Sequence, residues 1–225
     1  DHCPDDDRIF HKEARALRKA GHTVTILCVM NSDGCIPGMS QAAPLNPSGE
    51  SHLEEASIHI RGVLPARNKA ERLLKKGFRG GFVKRFIQEG QALEADVYHA
   101  HEPASLYLAF WMARWNPGRV VFDSHESWLS GSYRDFWVKR ICLPRLRYLI
   151  TANPLTRGHL LARNPAMATK VVYNYPEKRV FHHSFDVQKF QHPVIAHEGI
   201  LPFNRGLKLM VEAMIRLTQT IPDAR

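Results

Sequence analysis

The spacing of apolar positions alternates between helical and extended periods along this chain. Over residues 8–20, Phe10, Ala14 and Leu17 recur at i, i+4 and i+7, Asp7 stands where a cap is needed, and Gly21 follows the last turn, so a helix is expected. The β-branched run TVTILCV at 23–29 then reads as a strand. Residues 30–56 are rich in Gly, Pro, Ser and Asn and predict a loop of about 25 residues. A short strand is expected at 57–63, and a helical region over 68–93, interrupted at Gly77 and at Gly80 and Gly81. Regular alternation follows: strand 96–101, helix 104–115, strand 119–124, helix 133–147 broken at Pro144, strand 148–152, helix 155–163 and strand 170–173. Successive βα units predict an α/β fold built on a doubly wound, mainly parallel sheet.

The rhythm stops at 175–191, which holds Pro176, His182 and His183, and resumes with a strand at 192–200 and a helix at 204–220. The apolar face of that helix is Leu207, Met210, Val211, Met214 and Leu217. The expected organisation is a first domain over 1–176, a connection over 177–191 and the start of a second domain over 192–225. An open parallel sheet ordinarily begins with a strand, whereas this chain opens on a loop and helix and closes just after a helix. The expectation is a piece of a longer protein, with the first strand of one domain and most of the other outside it.

Composition narrows the class. With 225 residues, 44% of them hydrophobic, the chain can bury one core. No run approaches the roughly 20 apolar residues of a membrane span, and the acidic start is the reverse of a secretory leader. Cys3, Cys28, Cys35 and Cys142 form no C-x-x-C pair and suggest reduced thiols, hence a cytoplasmic location. The net charge of +9 is concentrated between 61 and 90, where Arg61, Arg67, Lys69, Arg72, Lys75, Lys76, Arg79, Lys84 and Arg85 face only Glu71 and Glu89. Two readings stand for this segment: a surface that docks on an anionic membrane, or a solvated basic face over a helix packed on the sheet. The four-residue spacing of Phe78, Phe82 and Phe86 makes an apolar helix stripe and argues against nucleic acid.

In open α/β sheets ligands sit beyond the carboxyl ends of the strands. Three segments qualify: HAHEP at 99–103, DSHE at 123–126 and NYPE at 174–177. His99 and His101 face one side of a strand and with Glu102 could imitate a metal site. No third ligand follows at helical spacing, so half-buried structural histidines are the simpler reading and no metal is expected. His125 follows a strand core and should emerge into the crevice, with a satisfied structural histidine as the alternative. The turn GILPFNRG at 199–206 joins a strand to a helix. Asn204 as N-cap, Arg205 in the first turn and Gly206 would bring N–H groups, helix dipole and guanidinium to one point, which suits a diphosphate. The phosphate loop, the dinucleotide fingerprint and the nucleophile elbow do not occur, which removes the usual support for kinases, dehydrogenases and α/β-hydrolases.

Taken in order, several segments resemble glycosyltransferase family 4. Asp7-Arg8-Ile9 with Glu13-Ala14 and Leu17, then Gly21-His22 and Val24, resemble its first helix and second strand. Asp96-Val97-Tyr98-His99-Ala100-His101 and Val121-Phe122-Asp123-Ser124-His125-Glu126 resemble two strands that end at its cleft. Asn174 with Pro176 resembles the end of its acceptor domain, and Gly199 with Arg205-Gly206-Leu207 the start of its donor domain.

The resemblance implies a GT-B fold of two Rossmann-like domains. It also implies transfer of a sugar from a nucleoside-diphosphate donor to a saccharide or lipid-linked acceptor, with retention, in cell-surface polysaccharide or glycolipid synthesis. No cofactor and no nucleic-acid partner are implied. His125 matches the histidine that contacts the donor sugar, and Arg205 the basic residue that meets the phosphates. His101, Glu102, Glu126, Asn174, Gly199, Asn204 and Gly206 are the further substrate-binding candidates. Ile200 stands where many members have Arg, so one phosphate contact is absent or comes from elsewhere. A sugar-nucleotide epimerase of the same fold and a non-enzymatic binding module are the alternatives.

Overall fold

In the computed structural model, the described residues are 6–30, 36, 50–55, 57–64, 81–125, 136, 138–175, 194 and 206–222, with residue 7 and residues 50–55 described by backbone alone. The first helix, α1, is wound as a π-helix over Asp7–Ala14 and continues as an α-helix over Arg15–Lys19. Its cap is Asp6 rather than Asp7: the Asp6 carboxylate accepts from the backbone N–H of Arg8 at 2.9 Å and of Ile9 at 3.2 Å. Phe10 and Ala14 are buried as the spacing predicts, whereas Leu17 is exposed, because the packed face ends where the wide turns give way to the α-helix.

Strand β1 (Thr25–Val29) pairs in parallel with β3 (Ile58–Val63), and β2 (Glu50–Glu55) adds to β3 in antiparallel register. The expected loop before residue 57 therefore contains a strand at its end. Its sequence ESHLEE lacks the β-branched signal of a strand, and its pairing comes from β3.

Next come α2 (Gly81–Ala92), β4 (Tyr98–Ala100), α3 (Pro103–Met112), β5 (Val120–Ser124), β6 (Tyr148–Thr151), α4 (Pro154–Leu161) and β7 (Ala168–Val171). Strands β4 to β7 form a four-stranded sheet in sequence order, parallel throughout. Between β5 and β6, Val138–Cys142 is a π turn and Leu143–Arg145 a 3-10 turn, so the expected break at Pro144 is present. The fold is mixed α/β with parallel strands and Rossmann-like, as the alternation implies.

The larger core lies on the β4–β7 sheet and unites Phe110, Phe122, Leu106, Leu149, Leu143 and Leu160, while a smaller one joins Phe10, Met30, Ile36, Ile58 and Ile60. Val63 belongs to the larger cluster and Leu27 packs against it, which couples the two sheets. Phe86 is buried in this core and Phe82 packs on it, their rings 5.7 Å apart. These two members of the phenylalanine stripe thus serve the core, while Phe78 lies outside the described residues. Gly90 is needed where α2 meets α3, since a Cβ there would collide with the Met112 side chain. Tyr107 and Trp111 of α3 and Trp115 beyond its end meet edge to face.

The chain divides into two compact units, Asp1–Asn174 and Tyr175–Arg225. In the second, α5 (Leu207–Thr220) is described. It starts later than the sequence predicts: the N-cap position is Gly206, at φ 79°, rather than Asn204, so Arg205 precedes the helix instead of joining its first turn. Left-handed backbone favours glycine and explains Gly206 there. Leu207, Met210, Met214 and Leu217 are half-buried and Val211 is exposed. The expected strand at 192–200 lies outside the described residues, apart from Val194.

Candidate functional site

Three elements of the first unit converge at the carboxyl ends of β4 and β5. Strand β4 carries His99 and releases His101 just beyond its end; these alternate with buried Tyr98 and Ala100 and so share the opposite side. Strand β5 carries Asp123, fully buried, with His125 just past Ser124. Helix α1 supplies Arg8 and Glu13. In an α-helix, residues five apart point about 140° away from each other. The π winding, whose repeat is closer to five residues, turns both onto one side. Arg8 Nε lies 3.0 Å from Glu13 Oε1 as a result.

Arg8 is the hub. Its Nε donates to Asp123 Oδ2 at 2.7 Å, Nη2 to Asp123 Oδ1 at 2.9 Å, and Nη1 to the Val172 carbonyl beyond β7 at 3.0 Å. A bidentate guanidinium–carboxylate pair is among the stronger polar contacts, and here both side chains are buried. Around it stand the histidines. His101 Nδ1 and His125 Nδ1 are each 3.7 Å from Asp123 Oδ2, and Glu13 Oε2 is 3.7 Å from both His99 Nδ1 and His101 Nε2. The His101 and His125 rings stack with centroids 5.5 Å apart, and the His99 and His101 rings lie 4.5 Å apart.

The two carboxyls are driven in opposite directions. Burial, reinforced by the neighbouring Asp123 charge, pushes Glu13 up to about 9 against the pull of Arg8. Burial alone would also raise Asp123, but His101, Arg8 and Glu13 hold it well below the usual carboxylate range. Burial and the adjacent His101 lower His99 to about 3, so that its imidazole is neutral at pH 7. Burial opposes the Arg8 charge too, and Asp123 and Glu13 more than offset it.

The sequence candidates separate into groups. His101 and His125 come together as their positions past the strands suggest, yet His125 does not project freely: its side chain is only 7% exposed and lies against His101. Glu102 is the N-cap of α3, with Ser105 Oγ accepting from its backbone N–H at 2.8 Å, which gives it a helix-starting role. Asn174 is exposed, and its Oδ1 accepts from Lys12 Nζ on α1 at 3.4 Å. Gly206 belongs to the second unit. Glu126, Gly199, Asn204 and Arg205 lie outside the described residues. Sequence spacing missed Arg8 and Glu13, because an α-helical period separates them; Asp123 fell in the DSHE segment, where only His125 and Glu126 were singled out.

A parallel α/β unit with its polar side chains gathered at the strand ends is a Rossmann-like ligand-binding module. The family model for Glycosyltransferase Family 4 matches residues 8–175, and the chain belongs to that family. A glycosyltransferase-like function with a sugar donor and an acceptor follows in general terms. No curated protein matches the chain. Among the described residues no helix is long and apolar enough to cross a membrane.

Proposed function

We propose that the chain contributes the acceptor side of a transferase that moves a sugar, with retention, from a nucleoside-diphosphate donor to a saccharide or lipid-linked acceptor. The observation that carries this reading is the place of His125, at the carboxyl end of a parallel strand in a chain of this family, with its ring set on His101. Its part is to position the donor sugar by hydrogen bonding.

Departure of the nucleoside diphosphate is the difficult event, and stabilisation that grows as the phosphate charge develops accelerates it. The segment from Gly199 through Asn204 and Arg205 to Gly206 supplies that charge complement from the donor side. Glu126 and Asn174 are further residues assigned to substrate binding.

The test uses the full-length enzyme with a labelled nucleotide sugar. Nucleoside diphosphate released only when acceptor is present supports transfer, and release without acceptor or interconversion of the donor sugar overturns it. Arg205→Ala should lower kcat by roughly 10²-fold, as for a lost oxyanion-hole donor. His125→Ala should lower kcat/KM. Unchanged kinetics in both folded variants would remove the site assignment.

A further inference from the structure

We infer that Glu13, His99 and His101 form a binding site for a divalent transition-metal ion of the zinc class, with Asp123 supporting His101 from behind. Among the described residues this is the group in which four potential donors, one each from Glu13, His99, His101 and Asp123, lie within 4.8 Å of one another.

The geometry favours three of them as ligands. Glu13 Oε1 is occupied by Arg8 at 3.0 Å, which leaves Oε2 turned to the histidines, 3.7 Å from His99 Nδ1 and 3.7 Å from His101 Nε2. Those separations are too long for hydrogen bonds, and Glu13 Oε2 is buried with no hydrogen-bond partner. Around tetrahedral zinc, with bonds near 2.0–2.2 Å, donor atoms stand roughly 3.4 Å apart. Both separations from Glu13 Oε2 therefore need to shorten by only a few tenths of an ångström to suit one ion.

The far nitrogen of His101, Nδ1, faces Asp123 Oδ2 at 3.7 Å and is likewise buried without a hydrogen-bond partner. A carboxylate behind the second ring nitrogen of a ligating histidine fixes its tautomer and orientation. Arg8 in turn fixes Asp123 by two hydrogen bonds.

Donor chemistry selects the ion. Two imidazoles and one carboxylate suit zinc, cobalt or nickel, whereas magnesium and calcium take oxygen ligands. Three protein ligands leave a coordination position open. The site differs from the donor-phosphate chemistry assigned to Arg205, and its occupancy is read without turnover.

The test is titration of the chelator-treated 225-residue chain with Co²⁺ and Zn²⁺. One equivalent of Co²⁺ should bring visible d–d absorption that Zn²⁺ abolishes and Mg²⁺ does not. Glu13→Gln and His99→Gln, checked for folding by circular dichroism, should each weaken binding by about a hundredfold, while His22→Gln, at an exposed position, should not. Binding that is absent, or unaffected by the Glu13 and His99 variants, overturns the site. Should those variants fail to fold, X-ray absorption on the zinc-loaded wild type decides: two imidazoles with an oxygen donor support the assignment, and one imidazole or none overturns it.

Discussion

Arg8 shows how much one side chain can be asked to hold. It is buried, neutralises buried Asp123 and reaches a carbonyl beyond β7, so its removal leaves a carboxylate without its counter-charge. Arg8→Met should cost about 3–5 kcal/mol in chemical denaturation, and adding Asp123→Leu should recover part of that loss, the non-additivity being the signature of the pair. Arg8→Lys should not substitute, because an ammonium cannot span both carboxylate oxygens. Cys142 has the opposite character: buried and apolar in its surroundings, its thiol is pushed up to about 12. The thiolate is the nucleophile, so iodoacetamide at pH 8 should modify Cys142 only after unfolding, as peptide mass mapping across a denaturant series would show.

At the scale of elements, the alternating βα pattern was legible in the sequence: strands β4 to β6 fall within the runs from which they are predicted, and β7 begins two residues before its own. Two features were not. The strand β2 is polar except for Leu53 and is made by its pairing with β3, a long-range fact with no local signal. The π winding of α1 is equally silent, and with it the meeting of Arg8 and Glu13, so the histidines could be found from the strand ends but their partners could not. The end of α3 also departs from expectation. Helix was predicted to Trp115, but Arg114 and Trp115 adopt φ 52° and 59°. That conformation burdens any residue with a Cβ, so Arg114→Gly should stabilise the fold by about 0.5–1 kcal/mol, measured by urea unfolding. Gly90→Ala should do the reverse, because the Met112 side chain must yield to the new methyl; a loss of about 1–3 kcal/mol is expected in the same assay.

Across the first unit, the two cores are joined by Val63 and Leu27. Val63→Ala should cost about 2 kcal/mol, and native-state hydrogen exchange should show the smaller core giving way before the larger: the amide of Ile60 should lose more protection than that of Leu149. Equal losses would mean that the sheets open together. The Arg8 contacts bear on the order in which the chain assembles. Its hydrogen-bond partners lie 115 and 164 positions further along, at Asp123 and Val172. During synthesis α1 leaves the ribosome long before either exists, and contacts that close such loops come late. The guanidinium must therefore wait in water, with one face of α1 unpacked, until β5 and β7 have been made and set side by side.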